Sequence, residues 1–193
     1  MLLAAGSSRR FGSDKRLHPL PDGRPILLAT VEIYLTVFDP LWVVTRATHD
    51  VAVAEVLRNT AAQTLHAKNA AAGMGHSLAE ASELIRRAYG GALVVGLGDM
   101  PFVTTPTLAR CAALLNAVPA DEPRVIQPRY GDRPGNPVGF SPPFVAQLSN
   151  CHGDQGARAL IAEALGNNLV SYFDVDDAGV VRDIDRPQEL PEH

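Results

Sequence analysis

The sequence has few cysteines, no excess of positive charge and no long apolar run. Cys111 and Cys151 are its two cysteines, and neither belongs to a CxxC pair or to a Cys/His cluster with zinc-site spacing. A chain of this size needs no disulfide, so we expect a reducing, cytoplasmic location. No run of eighteen apolar residues occurs, which predicts no transmembrane helix and no membrane partner. Asp and Glu outnumber Lys and Arg by 21 to 17, which argues against nucleic acid as the partner.

The composition and the alternation of sequence patterns are those of an ordinary globular protein. Hydrophobic residues make up 46% and charged residues 20% of the sequence, and the length suits one domain. Short apolar runs alternate with longer helical patterns, an order typical of an α/β fold with a mainly parallel sheet. We therefore predict a single domain over residues 1–193, built as a Rossmann-like open, twisted sheet with helices on both faces.

The predicted elements place several glycine-rich loops at strand ends. Strands are predicted over residues 1–5, 41–45, 63–66, 92–96, 124–128, 136–141 and 169–175. Helices are predicted over residues 24–37, 50–59, 75–89, 105–116, 142–148 and 156–165, with Asp50 and Thr104 or Thr105 placed to cap two of them. Ligands of such sheets bind outside the carboxyl ends of the strands. The loops near Gly6 and Gly98 are therefore the places to expect a site.

The loop after the first strand has the features of a phosphate site. In the segment LAAGSSRRFGSDK, Gly6 and Gly12 allow sharp turns, and successive backbone N–H groups can form an anion-binding nest. Arg10 and Lys15 add positive charge suited to a triphosphate. The loop is neither a Walker A loop nor a GxGxxG fingerprint. A solvated basic loop after a buried strand is the alternative interpretation.

Two further segments offer polar groups at element ends. In VVGLGDMPFV, Asp99 follows a buried strand, where a carboxylate is a natural Mg²⁺ ligand or, alternatively, the cap of a turn. In AAAGMGHSLAEA, Gly75 and Ser77 open a helix whose N-terminus offers free N–H groups. Ser77 could equally be an ordinary N-cap. The closing segment DIDRPQEL carries two more carboxylates, Asp183 and Asp185, which either complete a metal site or begin the terminal helix.

The pattern LAAGxSxRxGxxK resembles the signature of nucleotidyltransferases that build activated cofactors and sugars. The resemblance implies the nucleotide-diphospho-sugar transferase type of fold and assigns Arg10, Lys15 and Asp99 as catalytic residues. Mg²⁺, or Mn²⁺ in its place, would be bound by Asp99 with Asp185, because GDMP is similar to the metal-binding segment of the family. The implied nucleotide-binding residues are Leu3, Ala4, Ala5, Gly6, Ser8, Arg10, Gly12, Lys15, Gly75, Ser77 and Asp99.

Later segments are similar to one branch of that family, the MobA-like molybdenum cofactor cytidylyltransferases. GNPVGF and GDQGARAL resemble segments that face the pterin substrate, which implies that residues 1–101 mainly bind the nucleotide and residues 102–193 mainly the acceptor. The implied acceptor-binding residues are Pro101, Asn136, Pro137, Asp154 and Arg158. Asn136 stands where the branch often has His, which is a departure at the acceptor contact. Asp154 could instead cap a local helix.

The resemblance implies transfer of CMP from CTP to molybdopterin, with pyrophosphate as the leaving group and a molybdenum hydroxylase as recipient of the product. Ala5 stands where the guanylyltransferase branch usually has a second glycine, and its methyl group would crowd a purine. One alternative is a guanylyltransferase, or an NTP transferase for another phosphorylated small molecule. A different alternative is a non-catalytic chaperone that carries the molybdenum cofactor for hydroxylase maturation.

Overall fold

A computed structural model describes residues 1–8, 11–46 and 50–190 as one α/β domain. The strands are β1 (Leu2–Leu3), β2 (Trp42–Arg46), β3 (Gln63–Ala67), β4 (Leu93–Leu97), β5 (Val125–Tyr130), β6 (Arg133–Pro134), β7 (Val138–Phe140) and β8 (Val170–Asp174). The α-helices are α1 (Ile26–Leu35), α2 (Val51–Leu57), α3 (Met74–Tyr89), α4 (Thr105–Asn116), α5 (Pro142–Leu148) and α6 (Arg158–Gly166). In the described part of the chain, none of these helices is long and apolar enough to cross a membrane.

The eight strands form one mixed, mostly parallel sheet, which confirms the predicted fold class. Its order is β3-β2-β1-β4-β7-β5, with β6 and β8 also paired to β5. The pairs among β3, β2, β1 and β4 are parallel, as is the pair of β5 with β8. Strand β7 runs antiparallel to both β4 and β5, and β6 is antiparallel to β5. The N-terminal and C-terminal parts of the chain therefore share a single sheet.

Alternate residues of the strands pack into hydrophobic cores on both faces of the sheet. In β2, Trp42 and Val44 pack on the face covered by α3 and α5, whereas Val43 packs on the face covered by α1, α2 and α4. This alternation follows from the two-residue period of a strand. It explains why a continuous apolar run such as that of β2 is buried on both faces.

The structure differs from the sequence predictions mainly at element ends. Strand β1 has two residues rather than five, although the Ala4 amide still donates to the Val44 carbonyl at 2.8 Å. Helix α6 begins at Arg158 rather than at Gly156, because Gly156 has a φ of 55°, outside the helical region. The predicted capping role of Asp50 is wrong, since its side chain makes no capping hydrogen bond to α2.

The parallel arrangement gathers the functional loops at one edge of the sheet. The loops after β1 and β4 leave from the carboxyl ends of parallel neighbours. Because β7 is antiparallel to β4, the residues that precede β7 lie at the same edge, where Val138 pairs with Val95. Strand β8 also ends there, since it is parallel to β5. The segment after β8 can therefore run along this edge towards the loop after β4.

Asp177 anchors the segment after β8 to the start of α4. Its carboxylate accepts hydrogen bonds from the Thr104 amide (2.9 Å), the Thr104 hydroxyl (2.8 Å), the Thr107 hydroxyl (2.6 Å) and the Gly179 amide (3.0 Å). The side chain is buried, at 7% exposure. Thr104 is the N-cap residue of α4 but makes no side-chain capping bond of its own. The carboxylate of Asp177 thus accepts hydrogen bonds from backbone and hydroxyl groups at the start of α4, where the first amides have no partner within the helix.

We predict that Asp177→Ala lowers the free energy of unfolding by about 3 kcal/mol, because buried donors around the carboxylate lose their acceptor. The neighbouring Asp176→Ala, at an exposed position, is the matched control and should change stability by no more than about 0.5 kcal/mol. Urea denaturation of both variants measures the difference. Equal stability of the two proteins would contradict the anchoring role.

Candidate functional site

The loop after β1 folds back on itself. Ala4 and Ala5 are buried directly after the strand, and the chain then emerges at the exposed Gly6. Ser8 adopts a φ of 52°, and its hydroxyl oxygen accepts a hydrogen bond from the Lys15 amide at 3.2 Å. A residue other than glycine in this region signals a backbone that its surroundings hold in place. The loop therefore places Lys15 close to its own start at the edge of the sheet.

Arg10 lies outside the described residues, so its predicted contact with a triphosphate stays a prediction. Gly12, within the described part of the loop, has a φ of 82°, a conformation that glycine adopts at little cost. This observation agrees with the turn that the sequence predicted at this glycine.

A buried ion-pair network, which the sequence did not indicate, holds the loop in place. Arg16 is 3% exposed and contacts Asp14 at 2.5 Å and Asp50 at 2.6 Å. It also donates a hydrogen bond to the Ala4 carbonyl at 3.0 Å. Arg46, at the end of β2, contacts Asp14 at 3.0 Å. Although burial raises the pKa of Asp14, its bonds to Arg16 bring it below its ordinary value. The network joins the loop to the ends of β1 and β2.

Three carboxylates meet beside Lys15. The Ile184 amide donates to the Asp99 carbonyl at 3.0 Å, which docks the closing segment on the loop after β4. Carboxylate oxygens of Asp99, Asp183 and Asp185 lie within 4.8 Å of one another. The structure thus brings together Asp99 with Asp185 and also with Asp183, the other carboxylate that the sequence offered for completing a metal site. We call these three residues the carboxylate cluster.

Lys15 contacts the carboxylate cluster directly. Its ammonium lies 2.6 Å from Asp99 Oδ2 and 2.8 Å from Asp185 Oδ1, and its side chain is 13% exposed. Burial lowers the pKa of Lys15, but the two carboxylates outweigh it and hold the pKa above its ordinary value. Burial raises the pKa of Asp99, while the Lys15 ammonium acts in the opposite direction. Two of the predicted catalytic residues are therefore in contact.

The carboxylate cluster has the chemistry of a divalent cation site. Hard carboxylate oxygens are the ligands that Mg²⁺ prefers, and Mn²⁺ accepts them as well. Asp99 Oδ1 is buried and has no hydrogen-bond partner among the described residues. A buried carboxylate oxygen without a donor is costly unless a cation supplies the missing contact. The residues present therefore fit such a cation.

The start of α3 combines packing with one unsatisfied polar group. An ideal Cβ on Gly75 would lie 2.5 Å from the His152 carbonyl oxygen, so this glycine allows close packing against the turn that begins there. Ser77 is 2% exposed, and its hydroxyl has no hydrogen-bond partner in the described part of the chain. The alternative interpretation of Ser77 as an N-cap is wrong, because Gly73 occupies that position.

A small cavity next to the carboxylate cluster collects part of the predicted acceptor site. It has a volume of about 190 Å³, and Arg133, Asn136, Arg158 and Asp183 contribute to its lining. Among the described residues, neither guanidinium has a hydrogen-bond or ion-pair partner. The sequence did not indicate a role for Arg133, although it lies just ahead of the GNPVGF segment. Both positive charges are therefore free to meet an anion.

Other predicted acceptor residues lie outside this cavity. Pro101 and Pro137 are buried in the two loops beside it. Asp154 lies in the turn against which the start of α3 packs, and its carboxylate is close to Gly73. The alternative role of Asp154 as the cap of α6 is wrong, because Ala157 is the N-cap. A larger groove of about 670 Å³ lies between α4 and β8 and contains none of the signature residues.

Comparisons with known proteins identify the family and agree with the fold. Residues 1–169 match the profile of the MobA-like NTP transferase domain. The structure is similar to that of Rv0371c from Mycobacterium tuberculosis H37Rv, with 28% identity, a TM-score of 0.77, and coverage of 97% of this chain and 92% of that one. A manganese complex of Rv0371c is also similar, with 27% identity, a TM-score of 0.72, and coverage of 90% and 85%.

A more distant likeness extends to a molybdopterin-guanine dinucleotide biosynthesis protein A from Archaeoglobus fulgidus. Its identity is 18% and its TM-score 0.65, over 98% of this chain and 93% of that one, so this likeness shows the fold alone. No curated protein matches the sequence.

We predict that Arg16→Met lowers the free energy of unfolding by about 3 kcal/mol, because the partly buried Asp14 and Asp50 lose their buried partner and keep only the more exposed Arg46. Arg24→Met is the matched control. Arg24 also pairs with two carboxylates, but its side chain is 45% exposed, so we expect a loss of at most about 1 kcal/mol. Thermal and urea denaturation measure both variants. A loss for Arg16→Met no greater than that of the control would refute the structural importance of the network.

Proposed function

The chain belongs to the MobA-like NTP transferase family, and from that premise we propose that it is a molybdenum cofactor cytidylyltransferase. In the proposed reaction, a phosphate oxygen of molybdopterin attacks the α-phosphorus of CTP. The bond between the α- and β-phosphates breaks, and pyrophosphate leaves. The product is molybdopterin cytosine dinucleotide, for which a molybdenum hydroxylase is the expected recipient.

The observation that carries the proposal is the meeting of the signature loop with the carboxylate cluster. Lys15, at the end of the loop, contacts Asp99 and Asp185 within 2.8 Å. A loop that can wrap a triphosphate therefore ends beside carboxylates that fit a divalent cation. This arrangement suits phosphoryl-group chemistry, in which positioning and charge neutralisation supply most of the catalysis.

Each residue of the site has a defined part in the proposed reaction. Backbone N–H groups of the loop after β1 bind the triphosphate, and Arg10 neutralises the α-phosphate. Lys15 stabilises negative charge on the leaving pyrophosphate. Mg²⁺, held by Asp99 and Asp185, would polarise the phosphate oxygens and offset their charge. The acceptor itself supplies the attacking oxygen, so no side chain needs to act as nucleophile.

The preference for CTP rests on the start of the loop. Ala5 is buried, at 9% exposure, directly before the exposed Gly6. Its methyl group narrows the space at the place where the related guanylyltransferases have glycine, which favours a pyrimidine over the larger purine. Ser77 is assigned to the nucleotide side from the resemblance; its hydroxyl is buried, at 2% exposure, and has no hydrogen-bond partner among the described residues.

The acceptor side of the site carries positive charge, whereas the carboxylate cluster is negative. Arg133 and Arg158 line the cavity beside the carboxylate cluster, and neither has a hydrogen-bond or ion-pair partner in the part of the chain that the structure describes. Guanidinium groups bind phosphate through paired hydrogen bonds, so both arginines suit the terminal phosphate of molybdopterin. Asn136 adds a neutral side chain to the same lining. At about 190 Å³, the cavity accommodates this phosphate, and the pterin would extend beyond it.

We expect the purified protein, with Mg²⁺ and molybdopterin, to release pyrophosphate from CTP and far less from GTP, ATP or UTP. Asp99→Asn should reduce the rate by at least about a hundredfold, because it removes a cation ligand and a partner of Lys15. Asp176→Asn, which changes an exposed carboxylate outside the site, should keep the wild-type rate. A coupled assay of pyrophosphate measures all of these rates.

The possible results separate the competing functions. A preference for GTP would place the protein with the guanylyltransferases and defeat the argument from Ala5. Binding of a nucleotide without release of pyrophosphate would favour a carrier of the cofactor. Full activity of Asp99→Asn would contradict the cation site.

The acceptor site is tested separately from the nucleotide site. Arg158→Ala and Arg133→Ala should each raise the KM for molybdopterin by about tenfold, because each removes a charged hydrogen-bond donor. The KM for CTP should stay within about twofold of wild type. Arg87→Ala, an exposed arginine on α3, is the control. An equal rise in both KM values would argue against a specific role at the acceptor.

A further inference from the structure

We infer that Lys15 competes with the divalent cation for the carboxylate cluster, so that the cation binds tightly only when a triphosphate draws Lys15 away. This inference rests on the proposed function, because it assigns the nucleotide a second role at the same site. Its basis is the position of the Lys15 ammonium, which contacts Asp99 Oδ2 and Asp185 Oδ1. These atoms belong to the residues that would bind the cation.

The two cations cannot share these oxygens at full strength. Mg²⁺ binds carboxylate oxygens at about 2.1 Å and demands a regular octahedral arrangement. The Lys15 ammonium already lies 2.6 Å from one oxygen and 2.8 Å from the other. A divalent ion on Asp99, whether at Oδ2 or at the unpartnered Oδ1, would stand only a few ångströms from the ammonium, and their repulsion would weaken both sets of contacts. Departure of Lys15 would therefore strengthen binding of the cation.

The surroundings make this departure costly without a new partner for the ammonium. The Lys15 side chain is 13% exposed, so water reaches it poorly. Its backbone is held by the bond from its amide to Ser8, and by the neighbouring Arg16, which is fixed to the Ala4 carbonyl. Only rotation of the side chain can free the ammonium. Once rotated, the charge needs an anion within reach.

A triphosphate bound by the same loop provides that anion. Its oxygens accept hydrogen bonds from the Lys15 ammonium, which then no longer competes for Asp99 and Asp185 with the cation that accompanies the nucleotide. Lys15 thus moves from carboxylate to phosphate as the nucleotide arrives. The consequence is ordered assembly, in which free cations bind weakly and the complex of cation and nucleotide binds well.

The test measures binding of Mn²⁺ alone, without nucleotide, from the electron paramagnetic resonance signal of the free ion. Lys15→Met and Lys15→Gln should bind Mn²⁺ at least about tenfold more tightly than wild type, which corresponds to the loss of one or two charge-assisted hydrogen bonds that the ion must otherwise break. Lys15→Arg keeps the charge and should stay close to wild type. Lys68→Met changes the only other lysine, which is exposed, and is the matched control.

Two additions make the result specific to this site. Adding Asp99→Asn to Lys15→Gln should abolish the gain in Mn²⁺ affinity, because a shared ligand is lost. Circular dichroism verifies the fold of each variant, and Lys15→Gln, which keeps a polar side chain, serves if Lys15→Met does not fold.

The outcomes separate this inference from the proposed function. If Lys15→Met and Lys15→Gln bind Mn²⁺ no more tightly than wild type, while wild type releases pyrophosphate from CTP, the competition is refuted and the proposed function stands. If the variants bind more tightly but wild type releases pyrophosphate from no nucleotide, the competition holds and the proposed function fails.

Discussion

The site depends on one backbone hydrogen bond, from the Ile184 amide to the Asp99 carbonyl. It joins the closing segment to the loop after β4, and the full burial of Ile184 makes the contact difficult to break. Asp183 and Asp185 flank this residue, so the same bond brings both carboxylates to Asp99. The Asp177 anchor fixes the segment a few residues earlier, which leaves little freedom in between. Like charges are thus held together by backbone contacts, and a cation becomes the natural way to reduce their repulsion.

Two neighbouring basic residues compensate charge in different ways. Arg16 is buried and contacts Asp14, Asp50 and the Ala4 carbonyl, and these contacts within the protein fix the loop. Lys15 instead faces the carboxylate cluster, where its partners are also those of a divalent cation. The planar guanidinium suits a permanent network with several acceptors, whereas a single ammonium on a flexible stem can exchange partners. The first arrangement supports the loop, and the second leaves it able to respond to a ligand.

The sequence predicted the features that depend on local pattern. The α/β class, the two covered faces of the sheet and the place of Asp99 after β4 follow from apolar runs and their spacing, and the structure agrees. Local sequence pattern could not predict that Asp50 forms an ion pair with Arg16. Its position before a helix favours a cap, but a buried arginine 34 positions earlier in the chain is a stronger partner. Arg133 and Asp154 show the same limit, because their neighbours are set by tertiary packing around the cavity and the start of α3.

Asp183 connects the two halves of the proposed reaction, since it belongs to the carboxylate cluster and also lines the acceptor cavity. A phosphate in the cavity would therefore lie next to the triphosphate held by the loop after β1. Two anions brought this close repel each other unless positive charge stands on both sides. In the proposed reaction, Lys15 would provide it on the nucleotide side, and Arg133 and Arg158 would provide it on the acceptor side. The segment that carries Asp183 lies between the two proposed binding regions, so its docking on Asp99 would set how closely the acceptor oxygen can approach the α-phosphorus in the proposed reaction.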